Sequence, residues 1–582
     1  MRVGCAIFAV SAALLFSLPA RSRGNANEDS FRDLLEHGFQ FHQRGEYANS
    51  LPLLRRAWQL DPKDYHVNLL LGIDLLRTGK RAEAIPFLQT ASRQQPADEF
   101  AYEYLGEAQT GLAHYAEAAA AYAKAVEVAP QSSQAAMAFV DFSLERFRQL
   151  AQQLRSSSTG LAAEYRLQAM ARPLNDASRQ ELLERAAALD ENAPGIWSEL
   201  ALTEIARTER DKAVRDVARA KHKNASDLRA WEAEALLAAE TGNWPAVNEK
   251  LNVIARHSSA LLSQAANDWP RDLRPPGTVA ISGAAAKFFK CIDERRASCQ
   301  LTGFEERTAA PAQSLFEQQR WEHLAALPAR ASQEKEQWYL RGAALAHIGD
   351  CKQAIPALER GLGAPSNSSD GPFLLSWCYA RQAGNIAKNF EQTGAEPALL
   401  HVMRGDLFLR LQGNSKQAIA EYRKALEARP RDASILERLA EAQLSAGQMD
   451  DARNSAQTAL QLDPRRYSAK RTLAEIALSE REYRSALPYL REMVATDPND
   501  LSARAELGTA CAQTGSLEEA LQNLAPALQH GYPDEKGMLH YQLGTVLRRL
   551  GRTAEAAHAF ETARQLSDAS ERRSHQEQNA RP

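Results

Sequence analysis

KALEARP at residues 424–430, TALQLDP at 458–464 and REMVATDP at 491–498 close three consecutive copies of one sequence pattern. The prolines that end these stretches are 34 residues apart, and no residue is gained or lost between copies. A fixed period of this length indicates a repeat architecture, because each unit can bury its apolar surface only against its neighbours. The period therefore decides the fold class before any single motif is considered.

Each copy has the spacing of two helices joined by a tight turn. In 433–466, small or apolar residues recur every three or four positions on either side of Gly447, which places each set on one face of a helix. Glycine can end a helix in a left-handed conformation, and Pro464 disfavours helix at the residue before it. Short side chains that let two helices approach closely recur on the second helix, at Ala418, Ala452 and Ala486.

These features resemble the tetratricopeptide-repeat (TPR) family. The chain as a whole resembles an exported member of bacterial type. The family pattern is a leucine, a small residue, an aromatic, then alanines and a closing proline. It appears in 501–534 as Leu507-Gly508, Gly515, Ala520 and Ala527, and in 537–570 as Leu543-Gly544, Leu547, Gly551, Ala556, Phe560 and Ala563. The resemblance implies an all-α fold, a right-handed superhelical α-solenoid of stacked antiparallel helix pairs, with a concave binding face and usually protein partners.

The repeats divide the chain into two regular arrays and an irregular middle. An N-terminal array of three repeats is predicted for 31–132, and a C-terminal array of five repeats for 399–570. Between them, 133–261 is predicted to contain a long helix followed by degenerate and regular repeats. An irregular helical insertion is expected in 262–334, and one repeat with a degenerate helix pair in 335–398.

Two further boundaries follow from local composition. A helix from Ser133 to Arg155 is predicted to end in the polar loop 156–160. The polar residues 571–582 lack apolar periodicity and are predicted to form a disordered tail.

The first residues are typical of an export signal. Arg2 precedes the apolar run 3–18, which small residues follow, so 1–26 is predicted to be a secretory signal peptide. The alternative is an uncleaved membrane anchor within 3–20, because the apolar run approaches the length that spans a bilayer. Either interpretation predicts an exported chain, periplasmic or extracellular, which an anchor would hold at the membrane.

Export would allow disulfides between the cysteines of the middle region. Four cysteines there allow three connectivities, of which we favour Cys351–Cys378, near one end of adjacent helices. If Cys291 and Cys299 lay on one helix, their Cα atoms would be about 12 Å apart along its axis, beyond the reach of a disulfide. Cys511 replaces an aromatic residue and is expected to be a buried small apolar residue.

In TPR proteins the first helix of each pair lines the concave face. The residues expected there are mostly apolar: Leu35, Phe39, His42, Leu69, Ile73, Leu76, Leu400, Met403, Leu407 and Arg410. The next two copies offer a mixed polar surface instead, with Glu437, Glu441, Arg471 and Glu475. Exposed apolar surface of this kind marks interaction sites, so we expect it to hold an apolar or amphipathic segment of a partner protein. Alternatively, neighbouring segments or a fold-back of the solenoid cover these residues.

Motifs for catalysis and for ligands other than proteins are absent from the sequence. The net charge of −3 gives no electrostatic case for nucleic acid. The 13 histidines are scattered, and neither HExxH nor GxSxG occurs. We therefore predict that the chain is not an enzyme and uses no metal, cofactor or small-molecule substrate. The alternative is a hydrolase or transferase whose site lies in 262–334.

The leading functional hypothesis is a non-catalytic protein-interaction scaffold of the cell envelope, which binds partner segments on the concave face. The alternative is a TPR assembly or export factor for envelope polysaccharide or pili. The chain lacks the barrel or synthase domain that would identify such a factor.

Overall fold

The computed structural model describes residues 26–154, 158–270, 272–276, 278–293, 299–301, 311–327, 334–364, 370–392, 396–534 and 536–579. Throughout these stretches the regular secondary structure is α-helical, and consecutive helices stack in pairs. The predicted all-α fold of stacked helix pairs is confirmed. The chain divides into two compact units, Met1–Ala395 and Glu396–Pro582, which are described separately.

The described part of the first unit contains helices α1 to α20. In chain order these are Ala26–Gln43, Tyr47–Leu60, Tyr65–Arg77, Arg81–Gln94, Glu99–Thr110, Tyr115–Val128, Ser133–Leu154, Ser158–Met170, Ala177–Leu189, Ile196–Ala206, Arg210–Lys223, Leu228–Glu240, Trp244–His257, Ser259–Asp268, Gly283–Asp293, Ala312–Glu317, Trp321–Ala325, Lys335–His347, Cys351–Gly361 and Asp370–Gln392.

The second unit contains helices α21 to α30 in its described residues. They are Pro397–Arg410, Ser415–Ala428, Ala433–Ser445, Met449–Leu462, Tyr467–Ser479, Tyr483–Thr496, Leu501–Thr514, Leu517–Gln529, Met538–Arg549 and Thr553–Asn579. Each odd-numbered helix packs against the even-numbered helix that follows it, and the pairs stack in sequence order.

Aspartate caps fix where several of the first helices begin. The Asp64 carboxylate accepts a hydrogen bond from the Val67 amide at 2.8 Å, and this satisfies an amide that has no partner inside the helix. Aspartate side chains also accept from backbone amides at the starts of α5, α12, α23 and α27, at Asp98, Asp227, Asp432 and Asp500. Asp176 caps α9, the second helix of its pair, in a similar way. The caps set the repeat boundaries locally.

In the middle of the first unit, the last helix packs against the first. Helix α7 packs mainly against α20, although more than two hundred residues separate them in the sequence, and only weakly against its successor α8. The helices between them form further pairs, such as α8–α9, α10–α11, α12–α13 and α18–α19. Helix α19 then packs against both α6 and α20, and α20 also contacts α8. Ser258, at the start of α14, donates to the Glu322 carboxylate on α17 at 2.8 Å. The helices of this region therefore form a closed circuit.

A buried ion pair joins the helices where this circuit closes. Arg146 on α7 donates two hydrogen bonds to the Glu359 carboxylate on α19, at 2.8 and 2.9 Å. The Tyr379 hydroxyl on α20 donates to the same carboxylate at 3.0 Å, and the Arg146 guanidinium lies 3.8 Å from the centre of the Tyr115 ring on α6. Four helices thus meet at one buried, hydrogen-bonded polar group.

Both disulfides lie in the first unit. Cys351 at the start of α19 is bonded to Cys378 on α20, with Cα atoms 5.0 Å apart. Cys291 is bonded to Cys299, with Cα atoms 5.9 Å apart. The single-helix arrangement that would have kept these two cysteines apart does not occur, because Cys299 lies outside helix α15, Gly283–Asp293. Cys511 is a buried free cysteine.

Two predicted boundaries also differ from the structure. Helix α8 begins at Ser158, inside the loop predicted for 156–160. Helix α30 extends to Asn579, so most of the predicted tail 571–582 is helical. No glycine or proline interrupts the sequence between Gly551 and Pro582, and Arg564 pairs with Glu561 and Asp568 on the same helix, which favours helix.

The predicted signal or anchor segment 1–26 lies almost wholly outside the described residues. Among the helices that the structure describes, none combines the length and the apolar character needed to cross a bilayer.

Candidate functional site

The predicted apolar surface of the first array is largely closed by its own packing. Leu35, Ile73 and Leu76 are each less than a tenth exposed and belong to the core between α1 and α6. Phe39 and Leu69 are half-buried against this core. Because the burial of three of these residues removes them from the surface, the partly accessible members of this set are Phe39, His42 and Leu69.

His42 links the first two repeats rather than standing open on the surface. Its Nδ1 atom is 2.5 Å from a carboxylate oxygen of the buried Asp74. The imidazole also stacks on Phe39, with ring centres 6.2 Å apart. The three side chains form a small ordered patch between α1 and α3.

In the second unit, the predicted residues on α21 remain partly accessible. Met403 is fully buried, whereas Leu400, Leu407 and Arg410 are half-buried. The Arg410 guanidinium lies 3.5 Å from the Glu441 carboxylate on α23. This face therefore combines apolar side chains with a bridged charge.

In the second unit, hydrogen bonds and ion pairs link the first helix of one repeat to the first helix of the next. The buried Asp406 carboxylate accepts from the Tyr422 hydroxyl at 2.7 Å and from Arg438 at 2.6 Å. Further along, Arg471 on α25 pairs with Asp500 and lies 3.8 Å from Glu506 on α27. These contacts hold the side chains in fixed positions, so the polar part of the face is ordered.

Two of the predicted polar residues differ in environment. Glu437 is buried and pairs with Arg466, so it serves the packing between repeats. Burial raises the pKa of Glu475, and the neighbouring carboxylates Glu506 and Glu441 add to that rise. The neighbouring Arg471 opposes this rise, so this part of the face contains both charges.

The closed circuit of the first unit encloses a cavity of about 440 Å³ that the sequence did not suggest. Its walls come from α8, α10, α12, α14 and α16 to α18, and from the start of α20. Apolar and aromatic side chains dominate the wall: Leu261, Phe316, Trp321, Phe373, Leu374 and Trp377. A concave, mostly apolar space with a few convergent polar groups is the usual form of a ligand site.

Arg166, Asp370 and His347 are polar groups of this wall. Arg166 on α8 is less than a tenth exposed; it donates to the Pro194 carbonyl and lies 4.1 Å from the centre of the Phe373 ring. Asp370, at the start of α20, accepts from the Tyr339 hydroxyl at 3.4 Å. The His347 imidazole, at the end of α18, stacks on Trp321 with ring centres 4.3 Å apart.

Burial in the cavity wall shifts the pKa of each of these groups in the direction that favours its neutral form. Burial lowers the pKa of Arg166, while the charge of Asp370 partly offsets this. Burial raises the pKa of Asp370, against the opposing effect of Arg166. Burial, together with repulsion from Arg166, lowers the pKa of His347 to about 4. At neutral pH, His347 is therefore an uncharged group that can donate one hydrogen bond and accept another.

An adjacent network fixes one side of the cavity. Glu199 on α10 pairs with Arg179 at 2.6 Å and with Arg229 at 3.3 Å. The two guanidinium groups lower the pKa of Glu199, although burial opposes them. The Asp227 side chain caps α12 through the Arg229 and Ala230 amides. These groups already have partners, so they position the wall and leave Arg166 and Asp370 as its distinctive charges.

Sequence reasoning missed this cavity because the residues that form it lie between Arg166 and Trp377, in the part where the repeat is worn. One signal could have indicated the closure. Helices α7 and α20 contain 22 and 23 residues, longer than the other helices of the repeats that surround them, and neither has a local partner of similar length. Two long unpaired helices of matching length can pair with each other.

No group of three or more histidine, cysteine or acidic side chains suited to a metal ion occurs among the described residues. This covers the described segments of 262–334, where the alternative catalytic site was expected.

Comparisons with known proteins match the repeat segments in both units. A family model described as tetratricopeptide repeat matches residues 41–108 and 477–536, and a second model of the same description matches 402–467. No curated protein matches the chain.

Many solved structures are similar to part of the chain, and two of them illustrate the extent of the match. "YrrB: a TPR protein with an unusual peptide-binding site" is 20% identical, and the match covers 33% of this chain and 97% of that one, with a TM-score of 0.29. MamA 41-end from Desulfovibrio magneticus RS-1 is 23% identical, and the match covers 30% of this chain and 97% of that one, with a TM-score of 0.27.

Proposed function

We propose that this tetratricopeptide-repeat protein is a non-catalytic interaction scaffold of the cell envelope. Its repeats would bind segments of partner proteins, and no nucleic acid, because the net charge is only −3. The observation that carries the proposal is the face of the second unit formed by α21 and α23. There Leu400 and Leu407 are half-buried beside the bridged pair Arg410–Glu441.

This face fits an amphipathic partner segment for two reasons. Half-buried leucines can gain further apolar contact, worth roughly 25 cal/mol for each Å² removed from water. The Arg410–Glu441 pair is held at 3.5 Å, so its groups are already oriented and lose little freedom on binding. Apolar anchors beside ordered charges are the arrangement expected for recognition of a helical or extended segment.

Affinity capture with matched variants tests this proposal. Leu407→Asp combined with Arg410→Glu should abolish capture of the partners that the wild-type chain retains from an envelope extract. Arg423→Glu is the control, because Arg423 is exposed on the second helix of the same pair. Equal partner sets for the double variant and wild type would contradict the proposal, provided that both chains have the same melting temperature.

The proposed location is the periplasm or the cell exterior. Two disulfides support it, Cys291–Cys299 and Cys351–Cys378, because disulfides persist mainly in oxidising compartments. Fractionation with and without a signal-peptidase inhibitor should show the chain outside the cytoplasm, and a longer form with the inhibitor. Reduced cysteines in a cytoplasmic fraction would contradict the location.

A further inference from the structure

The cavity of the first unit contains two opposite charges that do not pair with each other. Arg166 donates to the Pro194 carbonyl and stacks on Phe373, and among the described residues it has no ion-pair contact with a carboxylate. Asp370 accepts one hydrogen bond, from Tyr339 at 3.4 Å. The two charges are near enough for each to shift the pKa of the other. Removing charges from water without a direct partner is costly.

His347 adds unused hydrogen-bonding capacity to the same cavity. Its ring stacks on Trp321, and neither ring nitrogen is hydrogen-bonded to a described residue. The imidazole keeps some accessible surface at the cavity wall. Arg166 therefore provides a hydrogen-bond donor, Asp370 an acceptor, and His347 a neutral group that can do both. Each of them can form further hydrogen bonds.

The size and access of the cavity favour a small ligand. Its volume of about 440 Å³ lies in the range of small-molecule sites. Exposed polar residues line its rim, among them Glu191, Lys223 and Gln313. The interior between this rim and Arg166 is aromatic, so the body of the ligand should be apolar.

We propose that this cavity binds a small zwitterion with an aromatic or large apolar body, of the α-amino acid class. Its carboxylate pairs with Arg166 and its ammonium group with Asp370, while the side chain packs between Phe316, Phe373 and Trp377. A ligand with both charges satisfies both residues at once, whereas a neutral or singly charged one leaves a buried charge without a partner. A free amino acid and the end of a short peptide share this chemistry.

Calorimetric titration of the full chain with matched probes tests the proposal. L-Phenylalanine should bind at least about tenfold more tightly than 3-phenylpropionate, which lacks the amine, and L-phenylalaninamide, which lacks the carboxylate. If glycyl-phenylalanine or phenylalanyl-glycine binds more tightly than L-phenylalanine, the ligand is the end of a peptide. If both bind more weakly, the ligand is a free amino acid. The proposal is overturned if no probe binds at millimolar concentration, or if either singly charged analogue matches L-phenylalanine.

Variants assign the two charges separately. Asp370→Asn should weaken L-phenylalanine and the amide about tenfold and leave 3-phenylpropionate within about twofold. Arg166→Met should show the reverse selectivity, with 3-phenylpropionate weakened and the amide retained. Since Arg166 is buried and its replacement can unfold the chain, Asp370→Asn decides the outcome if Arg166→Met does not fold.

A control at the rim completes the experiment. Lys223 is exposed there and pairs with Glu191 at 2.9 Å, so Lys223→Met should leave every affinity within about twofold of wild type. Equal losses for all three probes in Asp370→Asn would show a general structural effect and would overturn the assigned contacts.

Discussion

At residue scale, a glycine recurs where the two helices of a pair cross. At Gly72, an added Cβ atom would lie 2.5 Å from two atoms of Leu88, a side chain that is fully buried. The corresponding contacts are Gly38 to Leu54, Gly106 to Tyr122, Gly342 to Leu358, Gly405 to Tyr422, Gly508 to Leu524 and Gly544 to Phe560. Close packing of each pair therefore depends on the absence of a side chain at this position.

Gly72→Ala should lower the free energy of unfolding by about 1–3 kcal/mol, because the added methyl group overpacks the contact with Leu88. Chemical denaturation of the full chain measures this change. Gly384→Ala on α20 is the control, since a Cβ atom there would meet nothing within 4 Å. The control should be neutral or stabilising by up to about 1 kcal/mol, through the higher helix propensity of alanine. Equal losses for the two variants would rule out the overpacking explanation.

Glu204 makes the stability of the first unit depend on pH. Burial, reinforced by Asp216, raises the pKa of Glu204 to about 8 from the ordinary value of 4.5. One of its carboxylate oxygens has no hydrogen-bond partner among the described residues. Below pH 4.5 the group is protonated in both the folded and the unfolded state. Between 4.5 and 8 only the unfolded state ionises readily, so stability falls as the pH rises.

Glu204→Gln should remove this loss. The variant should be more stable than wild type, and this gain in the free energy of unfolding should be about 2 kcal/mol larger at pH 8 than at pH 5. Urea denaturation at the two pH values measures the difference. Glu127→Gln is the control, because hydrogen bonds from Lys124 and Lys352 lower the pKa of Glu127 to about 2. A gain at pH 8 in this control as well would contradict the assignment to Glu204.

At the scale of the helices, small side chains decide how closely the two members of a pair approach. Ala452, Ala456 and Ala459 on α24 are all fully buried against neighbouring helices. Ala452→Asp should destabilise the second unit by about 3–5 kcal/mol, because it adds bulk and an unpaired buried charge. Thermal denaturation checks this. Asn454→Asp, at an exposed position of the same helix, should melt close to wild type.

One buried ion pair lies at the joint that closes the circuit of the first unit. The Arg146 and Glu359 side chains are only 6% and 5% exposed, so removing one charge leaves the other buried without compensation. Glu359→Gln should cost about 3 kcal/mol and increase amide hydrogen exchange in α6, α7, α19 and α20. Lys352→Ala removes the exposed pair with Glu127 across the same joint and should cost less than about 1 kcal/mol. Unchanged exchange in Glu359→Gln would contradict this role.

At the scale of the whole molecule, two compact units share one chain, and both disulfides lie in the first. Calorimetry should therefore show two unfolding transitions. A reductant should lower the temperature of one of them only, since the loss of a disulfide typically costs about 2–5 kcal/mol. The free cysteine of the second unit, Cys511, is buried and leaves that transition unchanged. A shift of both transitions would contradict the separation.

The sequence by itself determined the helix pair and its stacking. The 34-residue period, the turn glycine Gly447 and the small residues Ala418, Ala452 and Ala486 can be recognised in the sequence, because they concern neighbouring elements of the chain. Leu35 and Ile73 were expected on an accessible concave face, but they lie in the core of the first array.

The tertiary structure alone decided the closure and the cavity. The contact between α7 and α20 joins segments that are more than two hundred residues apart, and the worn repeats between them give no periodic signal for it. Arg166, His347 and Asp370 converge only because that contact closes the circuit. A repeat period specifies how neighbours pack, whereas the meeting of distant helices depends on the accumulated geometry of every pair between them.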